Sequence, residues 1–189
     1  MSIRNVVLNA FPDTNANTAF VVPQMQFGVV TSDFTLTNGT SQQVVFPTNI
    51  DALTLNSATP YFYESMIWIT SGATAHSVAW DIGAGTATFT TIALIGVGNV
   101  SAAATTAATN MVEITSTSSV VVAASAGAAG NRLYISGYLL VNAGGTVIPR
   151  IAFNADPTGT LLTKAGSWFR VYPIGYLGSG AVAAVGNIA

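Results

Sequence analysis

From Gln26 to Tyr176 the chain is written in period two, in short runs rich in Val, Ile, Thr, Tyr, Phe and Trp that are broken by clusters of Gly, Asn, Asp and Pro. Alternate side chains of a strand point to opposite faces, so runs of this kind fold as half-buried strands. The pattern predicts strands at Gln26–Leu36, Gln42–Phe46, Phe62–Thr70, Ser77–Ile82, Thr86–Gly96, Asn110–Thr115, Ser119–Ala124, Asn131–Asn142, Thr146–Asn154 and Trp168–Tyr176. Between them stand turn residues such as Asn38-Gly39, Gly83-Ala84-Gly85 and Asp156-Pro157-Thr158-Gly159. Ala143-Gly144-Gly145 is expected to join its two strands as a hairpin, because glycine reaches the positive φ such loops require. No segment carries a helical period for long enough to form a helix. The expectation is an all-β chain, an antiparallel jelly-roll-like β-sandwich over 25–176, trimeric and with extended terminal arms.

One segment is apolar on both faces. In Tyr61 to Thr70 one parity holds Phe62, Glu64, Met66 and Trp68, and the other holds Tyr61, Tyr63, Ser65, Ile67 and Ile69. A sandwich strand that faces water should alternate between apolar and polar. The second apolar face is therefore expected to lie on a neighbouring subunit. The contact residues chosen on this reading are Tyr61, Tyr63, Ile67 and Ile69, with Tyr134 and Tyr138 from a later strand. A shift of one residue would exchange the two faces.

Charge is scarce in the same sense. Asp, Glu, Lys and Arg make up 6% of the chain, against about 25% in ordinary soluble domains. Buried contacts between subunits favour such a surface, and a free monomer does not. The net charge is −2 and the five basic residues are dispersed along the sequence, so no basic footprint for nucleic acid is expected. No run of about 18 apolar residues is present, so no membrane insertion is expected. The N-terminus reads as a poor secretory signal, and a virion protein made in the host cytoplasm and released by lysis fits that reading.

Chemistry is sparse. The chain has no cysteine and one histidine, His76, placed by the pattern in a loop. No Gly-x-Ser-x-Gly elbow, His-Glu-x-x-His, calcium loop or phosphate loop occurs. The seven carboxylates, Asp13, Asp33, Asp51, Glu64, Asp81, Glu113 and Asp156, are well separated. The expectation is a protein that is not an enzyme and takes neither cofactor nor metal. Charges inside predicted strands are either solvated or paired, and one arginine is expected to bridge to Glu64 or Asp156 across a strand or subunit boundary.

At the ends, residues 1–24 read as an arm or a first strand. Val6, Val7, Leu8 and Phe11 are too apolar for a solvated tail and are expected to dock on a particle. Residues 177–189 carry no charged side chain and are expected to pack along another chain.

Three stretches resemble small phage virion proteins of the jelly-roll, TNF- or C1q-like type: ATPYFYESMIWITSGATAHSVAW (58–80), NRLYISGYLLVNAGGTVIPRIAF (131–153) and AGSWFRVYPIG (165–175). The resemblance implies trimers of sandwiches about a shared apolar axis, without a transferable site residue. It implies a homotrimeric capsid decoration or cement protein on the particle surface, in contact with other virion proteins such as the major capsid protein. The alternative it implies is a receptor-binding head on a tail or head fibre.

Overall fold

The computed structural model describes residues 25–72, 74–99, 109–125 and 130–174. Val6, Val7, Leu8 and Phe11, with both expected terminal arms, lie outside the described residues. Thirteen strands and no helix occur among those described: β1 Gln26–Val29, β2 Phe34–Thr35, β3 Gln43–Val44, β4 Leu53–Leu55, β5 Pro60–Thr70, β6 His76–Gly85, β7 Thr88–Asn99, β8 Thr109–Ile114, β9 Ser118–Ser125, β10 Gly130–Ala143, β11 Gly145–Phe153, β12 Leu162–Thr163 and β13 Trp168–Pro173.

They form two antiparallel sheets. The larger runs β1-β13-β5-β10-β7-β8, with β12 and β2 joined at the side, and the smaller runs β3-β11-β6-β9, with β4 beside β11. Among the described strands the chain changes sheet eight times, at β2 to β3, β4 to β5, β5 to β6, β6 to β7 and at every step from β8 to β12. This is the alternation of a jelly-roll-like sandwich, and the β7–β8 hairpin widens its larger sheet. The core lies between the sheets. Tyr63 packs on Trp80 with ring centroids 5.5 Å apart, and Phe46 meets Phe169 edge-on at 4.8 Å. Each fully buried side chain of this size is worth roughly 1.5–3 kcal/mol.

Three expectations change. The run Gln26–Leu36 is two strands, not one. Val30 turns to exchange backbone hydrogen bonds with Ser167 and Gly166, both at 2.8 Å, and Asp33 then accepts from the Lys164 ammonium and from the Ala165 amide. Ala143-Gly144-Gly145 is not a hairpin, because β10 and β11 belong to different sheets. Its glycines serve close passage: a Cβ on Gly144 would lie 2.7 Å from the Ser57 amide nitrogen, and one on Gly145 2.3 Å from Thr86 Oγ1. His76 is the first residue of β6, buried in the sandwich and not in a loop.

Two glutamines stitch the sheets along one side. Gln26 of β1 donates to the Thr54 carbonyl and accepts from the Thr54 amide of β4, at 2.5 and 3.0 Å. Gln43 of β3 does the same to Thr37, just past β2, at 2.9 and 2.7 Å. Each side-chain amide stands in for the missing neighbour strand, which removes an open edge.

Candidate interaction face

Cross-strand partners share a face, so the registers define what the larger sheet shows on its outer side. One row reads Met111, Val97, Tyr134, Met66, Trp168, Val29 from β8 to β1. The next reads Glu113, Ile95, Ser136, Glu64, Arg170, Phe27. A third holds Ala93, Tyr138, Phe62 and Tyr172, and Arg132 stands opposite Trp68. Phe27, Val29, Met66, Trp68, Ile95 and Met111, six of the eight large hydrophobic side chains exposed among the described residues, lie on this one face. Met111 is 72% exposed and Ile95 51%.

The aromatic groups are held by their neighbours. Phe62 packs on Tyr172 at 5.4 Å and Phe27 on Trp168 at 6.4 Å. The Arg132 guanidinium lies 4.9 Å from the Trp68 ring centre, and that of Arg170 lies 5.8 Å from the Trp168 ring centre. Such cation–π contacts lay arginine stems along apolar rings.

A polar cluster sits at the centre. Glu64 is only 8% exposed. Its Oε2 accepts from Arg170 Nε at 2.5 Å and from Nη2 as well, and its Oε1 accepts from the Tyr134 hydroxyl. The hydrogen bond to the carboxylate pushes the Tyr134 phenol above its ordinary pKa, against a smaller opposing pull from Ser136. The arginine bridge expected across a strand boundary is thus Arg170 to Glu64, between β13 and β5.

The contact residues chosen from sequence divide. Tyr61, Tyr63, Ile67 and Ile69 are buried in the core of the chain itself, so they face the smaller sheet and cannot meet a neighbouring subunit. The physical reason is the parity of β5: Tyr63 fills the space over Trp80, while the charge-bearing parity of Glu64 turns outward. Burial pushes the Tyr63 phenol well above its ordinary pKa. Tyr134 and Tyr138 lie half-buried on the outer face, beside Met66 and Phe62.

The remaining polar groups tie the fold together. Asp81 on β6 accepts from Arg150 Nη2 at 3.1 Å, Gln42 Nε2 at 2.8 Å and the Gly83 amide at 2.7 Å. His76 Nδ1 lies 2.7 Å from the Thr74 carbonyl and Nε2 lies 3.1 Å from Asn131 Nδ2. A carbonyl only accepts, so Nδ1 carries the proton and Nε2 accepts from Asn131. The ring stacks edge-on against Phe153 at 5.3 Å. The histidine therefore links the smaller sheet to β10 of the larger. Among the described residues no three His, Asp or Glu side chains converge as a metal site.

No protein-family model matches the chain, and no curated protein matches it. Among solved structures, the chain is similar to one from the structure of infectious bursal disease virus Gx strain, at 11% identity and a TM-score of 0.22. That likeness covers 86% of this chain and 47% of the other, so this chain spans about half the length of its match. At that level it carries no argument about function.

Proposed function

We propose that the protein is a non-enzymatic structural component of a phage virion, a homotrimeric decoration or cement protein that seats on the particle surface against the major capsid protein. The observation that carries the reading is the outer face of the larger sheet, which exposes six large apolar side chains on a chain with 6% charged residues. A monomer in water has no use for such a face, while a subunit of an assembly needs it. The order of the resembling motifs supplies the virion setting.

The test is the copy number of the protein in purified particles. Hundreds of copies per particle are expected of a decoration protein. A few trimers per particle would replace it with a fibre head, and absence from particles would overturn the virion reading. Cleavage of host polysaccharide by the isolated protein would overturn the non-enzymatic part.

A further inference from the structure

We infer that the outer face of the larger sheet is covered by a second copy of this chain, and that the Glu64–Arg170–Tyr134 cluster at its centre sets how the two copies align. The inference rests on the structural-subunit reading and names the occupant of its surface.

Size is the first reason. Six strands at about 4.8 Å spacing span roughly 24 Å, and Phe62 to Trp68 covers about 20 Å along β5 at about 3.4 Å per residue. The flat footprint of about 480 Å² is more than half of the roughly 800 Å² per partner of a standard protein interface, before the accessible area of the projecting side chains is added.

Charge is the second. The face carries two acids, Glu64 and Glu113, and two arginines, Arg132 and Arg170. It is neutral in sum, so two copies of it meet without the like-charge cost that a one-signed face imposes on self-association. A shell or receptor that selected this surface by charge would be met by a net field, and the face offers none.

The edges are the third. Gln26 and Gln43 occupy the backbone groups of Thr54 and Thr37, which leaves face packing rather than strand addition as the way copies join on that side. At the centre, two nitrogens of the Arg170 guanidinium are spent on Glu64. The side chain is still 43% exposed, so an apposed copy that covers its remaining N–H donors must supply an acceptor. Misaligned copies would bury those donors unpaired, at a cost that correct alignment avoids.

The test uses the full chain at micromolar concentration in sedimentation equilibrium, with circular dichroism to show that each variant is folded. Wild type is expected as an oligomer. Met66→Glu and, independently, Met111→Glu are expected to raise its dissociation constant at least tenfold, toward a monomer of 19.3 kDa. Val120→Glu, an exposed position on the smaller sheet, should leave the oligomer unchanged. Met111 is so exposed that its variant folds even if Met66→Glu does not. Oligomers that persist in both face variants overturn this inference and leave the virion reading standing. A wild-type monomer that binds particles only while the face is intact overturns it in favour of the shell. A wild-type monomer whose face variants lose binding to a glycan array overturns it in favour of a receptor.

Discussion

The side-chain amide of Gln26 closes the free edge of the strand that carries Thr54, donating to its carbonyl at 2.5 Å and accepting from its amide at 3.0 Å. The two residues are 28 apart in sequence and belong to different sheets, so the contact holds the sandwich shut where its smaller sheet would otherwise end in open backbone.

Gln26→Ala should therefore lower stability by about 1 kcal/mol, the usual net worth of such hydrogen bonds near solvent. Gln26→Glu should cost at least as much, because a carboxylate placed against the Thr54 carbonyl can no longer donate. Denaturant midpoints measure the loss. Hydrogen exchange at the Thr54 amide should quicken in both variants, and an unchanged rate would show that the clamp is not formed in solution.

At the Glu64–Arg170 pair the two partners are unequally buried, with the Glu64 side chain 11% exposed and that of Arg170 43%. In the dissociated subunit Arg170→Met strands the buried acid and should cost about 3 kcal/mol, whereas Glu64→Gln leaves the more exposed arginine to be solvated by water and should cost about 1 to 2 kcal/mol. Equal losses, or the reverse order, would contradict the burial seen here.

The alkaline limb of the stability curve follows from two phenols. Tyr63 and Tyr134 are held protonated above the ordinary tyrosine value of 10.0, Tyr63 by burial and Tyr134 by its hydrogen bond to Glu64. The unfolded chain gives up these protons first, so the stabilisation is complete below about pH 10 and is lost as pH rises through the folded values. The fully buried Tyr63 phenol steepens the fall by up to about 1.4 kcal/mol per pH unit, and the more exposed Tyr134 phenol adds a smaller slope of the same sign. Tyr134→Phe should make the slope shallower and remove one late step from the ultraviolet titration of the tyrosines, while the Tyr63 step persists until the protein unfolds.

Much of the architecture was legible because strand periodicity is local. Each of the ten predicted runs overlaps a strand, the first of them two short ones, and the two-faced character of Tyr61 to Thr70 is seen in β5. The parity of β5 is the opposite of the one chosen on the aromatic Tyr61 and Tyr63, which fill the core instead. Glu64 was the better signal, since the one charge in the segment shares its parity with Phe62, Met66 and Trp68 and marks that side as outward. Leu53–Leu55 and Leu162–Thr163 are too short to show a period. The glutamine clamps, the His76–Asn131 contact and the crossing at Gly144-Gly145 depend on residues distant in sequence, and nothing near them announces the partner.

Gly96 and Gly98 allow the widened sheet to lie close over β9. A Cβ on Gly98 would come within 2.6 Å of Val122 Cγ2, and one on Gly96 within 2.9 Å of Val121 Cγ2. Gly98→Val should cost about 2 to 3 kcal/mol through overpacking, with Gly98→Ala smaller in the same direction. Thermal melts of both variants give the order, and a neutral Gly98→Val would mean that β7 stands farther from β9 than described.

The apolar outer face also fixes how any complex formed there responds to temperature. Removing Met66, Trp68, Ile95 and Met111 from water gives association a negative heat-capacity change, and an attraction of that origin fades on cooling. Complexes made through this sheet should thus loosen near the freezing point and tighten on warming toward ambient temperature. Because the face is neutral in sum, they should respond little to added sodium chloride. A preparation chilled for storage would be the one most prone to come apart.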